Sequence, residues 1–148
     1  MQRRVAIGGA TGFLGAYLCA WFLNEGFEVV AFARGRDNGE AGRRVRDILA
    51  GIPDFGPLHL DRLRTFAFDL AGVDVVLPAG CELKGVPFVN TIASLKHGEQ
   101  HRAEIMQVNV EGTRRLLDLL RGAGVSRLCH VSTAFVCGAA DGDVREVA

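Results

Sequence analysis

The chain has 148 residues, enough for one domain with a substantial core and short for a two-domain enzyme. Seventeen lysines and arginines balance seventeen aspartates and glutamates, which removes any global electrostatic case for a nucleic-acid or anionic-membrane partner and leaves a small ligand as the expectation. Cys19, Cys81, Cys129 and Cys137 are widely spaced with no CxxC pair, so they read as reduced structural thiols and not as a zinc site or a disulfide framework.

"RRVAIGGA" (3–10) reads as a short apolar strand ending in glycine. From Phe13 the pattern turns helical, with Leu14, Leu18, Trp21 and Phe22 on one face and Gly26 placed as a C-cap. "FEVVAFAR" (27–34) is a second strand, apolar throughout as in a parallel sheet covered on both faces. A surface helix follows within residues 34–52, with Val45, Ile48 and Leu49 inward, and "PDFGP" (53–57) breaks it. "RLRTFAFDL" (62–70) and "VDVVLPAG" (73–80) are predicted as two further strands, and "KGVPFVN" (84–90) as a connection. The strongest helical repeat then places Met106, Val110, Thr113, Leu117 and Leu120 on one face, stopped by Gly122 and Gly124. "SRLCHVSTAFV" (126–136) is the last predicted strand.

This alternation predicts a Rossmann-like parallel α/β sheet, order 3-2-1-4-5, with helices on both faces and a fifth strand left at the edge. Ligands in such sheets bind beyond the carboxyl ends of the strands, which places Gly9, Arg34, Asp69, Pro78 to Gly80 and Thr133 along one edge. No apolar run approaches the roughly 18 residues of a membrane span, and the glycines behind the basic N-terminus are unlike a signal peptide, so a cytoplasmic location is expected.

"GGATGFLG" (8–15) carries three glycines at three-residue spacing where the first strand meets its helix. Unpaired N–H groups and the helix dipole favour an anion there. Gly9 would permit the tight turn, Gly12 the approach of a pyrophosphate, and Gly15 close packing of helix on strand. About 20 residues further on, an acidic residue favours NAD and an arginine accommodates the 2′-phosphate of NADP. Arg34 and Arg36 stand there, with Asp37 beyond them, so NADP(H) is the favoured cofactor and NAD(H) the alternative.

These segments together resemble the extended branch of the short-chain dehydrogenase/reductase superfamily. "GGATGFLG" is similar to its cofactor loop, "FDL" to its adenine-side aspartate motif, "VVLPAG" to the strand before its alanine-rich turn, "VNVEGTRRLLDL" to its central helix and "HVSTAFVCG" to its active-site strand. Within the branch, "ARGRDNGEAGRRVRDIL" and "STAFVCGAADGDVRE", the latter with Glu146, resemble the thioester-reductase and fatty-acyl reductase group. The resemblance implies cofactor contacts at Gly9, Thr11, Gly12, Phe13, Leu14 and Gly15 in the loop. It extends them to Asp69 and Leu70, to Pro78, Ala79 and Gly80, and to Ser132. It implies Thr133 as the hydroxyl that polarises a substrate carbonyl and Asn109 as part of the proton path.

Two departures stand out. The family's Tyr-x-x-x-Lys pair has no counterpart after Thr133, so residues 1–148 are expected to form the cofactor-binding portion of such an enzyme, crippled in proton transfer without a C-terminal catalytic and substrate part. Pro78 also stands where the family has histidine or asparagine, and it removes a backbone donor. An acyl or thioester substrate is expected only with the C-terminal part. A portion of an NAD-dependent nucleotide-sugar epimerase or dehydratase and a non-catalytic dinucleotide sensor remain as alternatives. The His97/His101 pair lacks the HExxH arrangement and no metal is expected. His130 with Ser132 lacks the acidic partner of a hydrolase triad.

Overall fold

The computed structural model describes residues 3–53, 58–72, 75–133, 138 and 141–143. Five strands, β1 (Arg4–Gly8), β2 (Glu28–Ala33), β3 (Leu63–Ala67), β4 (Pro87–Asn90) and β5 (Arg127–His130), form one parallel sheet in the order β3-β2-β1-β4-β5. The expected order is therefore observed. Its fourth member is not the expected segment.

Residues 75–78 of "VDVVLPAG" form no strand, and the strand that pairs with β1 comes from "KGVPFVN". Pro87 is admitted because it is the first residue of the strand, where its missing N–H costs least. Phe88 and Asn90 are buried beneath the sheet face, while Val75 and Leu77 lie across that face as part of an irregular crossover. Both stretches are short apolar runs next to proline and glycine, and periodicity cannot separate them.

Alternation along the strands splits the core. Val5, Ile7, Val29, Ala31 and Ala33 face the helices α1 (Phe13–Asn24) and α2 (Asn38–Ala50). Ala6, Val30, Phe32, Phe66 and Phe88 face the opposite side, where the helix α4 (Thr113–Gly122) contributes Leu116 and Leu120. Phe32 sits at the centre of that side, its ring 5.3 to 6.0 Å from those of Phe66, Phe68 and Phe88. Burying each such side chain is worth about 1.5–3 kcal/mol.

Only half of the apolar row expected for α1 meets the core: Leu18 and Phe22 pack against it half-buried, and Leu14 and Trp21 do not. Gly15, Ala16, Cys19, Ala20 and Leu23 are buried, whereas Leu14 and Trp21 are 42% and 48% exposed. Small residues meet the sheet because the helix must lie close to β1. Its end follows the sequence reading: Gly26 is left-handed (φ 76°), and the Gly26 and Phe27 N–H groups return to the Leu23 and Phe22 carbonyls. Gly124 (φ 69°) closes α4 in the same way through Arg121 and Leu120.

The long helical stretch begins with α3 (Arg102–Ile105), passes through a π-helical segment at Met106–Gly112 and continues as α4. The wider π turns change the angular step between residues, so the expected face does not stay in line. Gly112, Leu116 and Leu120 are buried, while Met106, Val110 and Leu117 are 46–47% exposed. At the sheet edge β5 ends at His130, before the expected limit, with Val131 to Thr133 beyond the pairing and 134–137 outside the described residues. Among the described residues no helix is long and apolar enough to cross a membrane.

Candidate functional site

The carboxyl ends of β1, β2, β3 and β4 deliver the glycine turn, Arg34, the Phe68–Leu70 stretch and the Thr91–Ser94 segment to one edge. Gly9 is left-handed (φ 83°), and the N–H groups of Gly9 and Ala10 both reach the Phe32 carbonyl, at 3.1 and 3.0 Å. A Cβ on Gly9 would stand 2.6 Å from Thr91 Oγ1, and one on Gly15 would run into the Gly9 carbonyl oxygen. On Gly12 it would meet only that oxygen, at 3.3 Å. Gly9 and Gly15 thus hold the turn against β4, and Gly12 leaves the approach to α1 bare. No side chain caps α1, so its leading N–H groups stay available to an anion.

Thr91 belongs to this site and was missed with its strand. Its hydroxyl donates to the Gly8 carbonyl at 2.8 Å and so staples the segment after β4 to the glycine loop. The signal was present in "VPFVNT" (86–91), where strand-favouring Val86, Phe88, Val89 and Thr91 follow Gly85.

At the end of β2, Arg34 is exposed and its carbonyl accepts from Arg44 Nη1 at 2.6 Å. Arg44, on α2, is a second cation the sequence reading did not assign. Both nearby acids are occupied: Asp37 caps α2 by accepting the Glu40 N–H at 2.7 Å, and Glu40 pairs with Arg36 Nε at 2.7 Å. The hydrogen bond from Arg36 holds the Glu40 carboxyl below the ordinary glutamate range.

Asp69 lies two residues beyond β3, its Oδ1 accepting the Ala71 N–H at 3.0 Å, and Leu70 is buried beneath it. Ala67, Phe68, Asp69, Gly72, Val75, Val76 and Pro78 line an open hollow of about 340 Å³. It is largely apolar with one carboxylate. Pro78 thus reaches the same edge as Asp69, but Ala79 and Gly80 are exposed and the Gly80 carbonyl accepts from Arg64, near the start of β3. Thr91–Ser94, and not 78–80, is the segment that follows the fourth strand.

Ser132 and Thr133 lie just past β5, both exposed. Asn109 does not reach toward them with an uncommitted amide: its Oδ1 accepts the Ser94 N–H at 2.7 Å and its Nδ2 donates to the Ser94 carbonyl at 3.0 Å. Lys96 Nζ and Glu104 close the same loop at 2.6 Å, which holds the Glu104 carboxyl low. Cys19 is buried, and desolvation pushes its thiol up to about 12. Cys137 and Glu146 lie outside the described residues. Among the described residues no group of three or more metal-ligating side chains is brought together.

A parallel 3-2-1-4-5 sheet with a bare glycine turn between its central strand and first helix defines a Rossmann-like dinucleotide-binding fold. Residues 5–148 match the NAD dependent epimerase/dehydratase family, and the chain belongs to it. The chain is 29% identical over 143 residues to a 3-beta-hydroxysteroid dehydrogenase of Mycolicibacterium neoaurum, a match covering 93% of this chain and 34% of that one. The reductase domain of a non-ribosomal peptide synthetase from Mycobacterium tuberculosis superposes with a TM-score of 0.75 at 28% identity, over 95% of this chain and 35% of that one. A short-chain dehydrogenase/reductase superfamily protein from Agrobacterium tumefaciens, solved with bound NAD, shares the fold with a TM-score of 0.62 at 21% identity, over 92% and 34%. The chain thus spans about a third of the length of these relatives.

Proposed function

We propose that this chain is the NADP(H)-binding portion of an oxidoreductase that reduces a thioester or acyl group. The observation that carries the cofactor is the glycine turn: Gly12 presents no Cβ, and the α1 N–H groups behind it have no side-chain cap. In this reading the diphosphate lies against residues 9–15, including Thr11, Phe13 and Leu14, and the adenine enters the hollow beside Asp69. Arg34 and Arg44 meet the 2′-phosphate, which suits them because Asp37 and Glu40 are already engaged elsewhere. The bound cofactor supplies the hydride. Thr133 and Ser132 supply hydroxyls at the far end of the same edge, and Asn109 acts by holding the Ser94 loop. The similarity to a peptide-synthetase reductase domain supports the thioester as the substrate class.

Titrating NADPH and NADH into the wild-type chain and Arg34→Glu tests this. The variant should lose NADPH affinity far more than NADH affinity, and equal losses would refute the arginine assignment. A second reading, an epimerase or dehydratase portion holding NAD, is favoured by the Glu40 carboxylate that ties up Arg36. It predicts tight NAD that does not exchange during turnover.

A further inference from the structure

Gly8 precedes the turn and has no positive φ, yet a Cβ there would stand 3.0 Å from Asn90 Oδ1 and 3.1 Å from both Ile92 and Phe88. The glycine makes room for a side chain of β4. Gly8, Asn90 and His130 are register partners across β1, β4 and β5, so Asn90 and His130 project from the same face of the sheet.

Asn90 is the only fully buried polar side chain among the described residues. Such an amide is costly unless both its ends are paired. Its Oδ1 accepts the Ile92 N–H at 3.2 Å, which turns Nδ2 toward His130 Nδ1 at 3.0 Å. An amide nitrogen only donates, so Nδ1 must be the acceptor and the ring proton must sit on Nε2.

The bond also closes a circuit. Asn90 carries the Val131 N–H on its backbone carbonyl at 2.9 Å, and its neighbour Thr91 is stapled to Gly8. Apart from its backbone ladder to β4, β5 has few side-chain anchors, since Leu128 is the only one of its four residues that is not exposed.

We propose that Asn90 and His130 are positioning residues: their half-buried amide–imidazole bond fixes the carboxyl end of β5, and so Ser132 and Thr133, relative to the glycine turn. The functional consequence rests on the reading of Ser132 and Thr133 given above. The bond itself does not.

The test is nitrogen-15 NMR of the histidine rings and amide hydrogen exchange on the whole 148-residue chain. The wild type should show His130 as the Nε2–H tautomer. Asn90→Asp, which can only accept, should move the ring proton to Nδ1 or doubly protonate the ring. His130→Phe, at an exposed edge, should raise exchange at the Val131 amide about tenfold and leave Ala6 unchanged. His130→Asn, which returns an acceptor oxygen near the position of Nδ1, should restore protection. An Nδ1–H ring in the wild type, or His130→Phe and His130→Asn behaving alike at Val131, would overturn the proposal. These readouts need no cofactor, so failure of the wild type to bind NADPH would count against the oxidoreductase reading alone.

Discussion

Replacing Gly9 with alanine separates two forces that shape the turn. The backbone there is left-handed at φ 83°, and placing an L-residue in that region costs about 1–2 kcal/mol. The new Cβ would also lie 2.6 Å from Thr91 Oγ1, too close for any real contact, so the hydroxyl must swing away from the Gly8 carbonyl it now meets at 2.8 Å. Losing that bond adds about 0.5–1.5 kcal/mol, for a total near 2–3 kcal/mol. For a chain of this size that lowers the melting temperature by roughly 5–10 °C. Urea unfolding of the wild type, Gly9→Ala, Thr91→Ala and the double variant measures both parts. The double variant keeps the strain but not the overlap, so it should be more stable than the sum of the single losses by about 1 kcal/mol. A Gly9→Ala cost below about 0.5 kcal/mol, or strict additivity, would refute the close approach of β4 to the turn.

Three further outcomes are expected. Cys19, buried and with its thiol near 12, should resist alkylation in the native chain while exposed Cys129 reacts, as read by peptide mass spectrometry. Glu40 is held low by Arg36, so the pair's support for the start of α2 is complete above the ordinary glutamate pKa of about 4.3 and is lost as pH falls through the lowered folded value. A carboxylate NMR titration should show this, and Arg36→Gln should bring Glu40 back up. Gly15→Val should prevent α1 from docking on β1, seen as lost cooperativity in thermal unfolding, because the Gly9 carbonyl oxygen occupies the space a side chain would need.

The glycine turn, the helix stops and the strand order were legible because each rests on local chemistry: bare backbone at 9, 12 and 15, and left-handed closures at Gly26 and Gly124. Elements set by competition between segments were not. Residues 73–80 and 86–90 offer similar apolar runs, and only the pairing of Phe88 and Asn90 beside β1 decides between them. The buried face of α1 is hidden for a related reason, since close helix–sheet contact takes the small residues Gly15, Ala16 and Cys19, which the apolar row of Leu14, Leu18, Trp21 and Phe22 does not mark. At the site, the tie of Asn109 to Ser94 and that of Asn90 to His130 join residues 15 and 40 apart, and no spacing rule points to either.

The most direct test of the account is a calorimetric titration of NADPH into the folded chain, paired with amide shift mapping and repeated on Gly12→Val. One site per chain is predicted, with the largest shifts at residues 9–15 and at Arg34, and its disappearance in a Gly12→Val variant that still unfolds cooperatively. A folded wild type that takes up neither NADPH nor NADH at millimolar concentration, or shifts confined to surfaces away from residues 9–15, would contradict it.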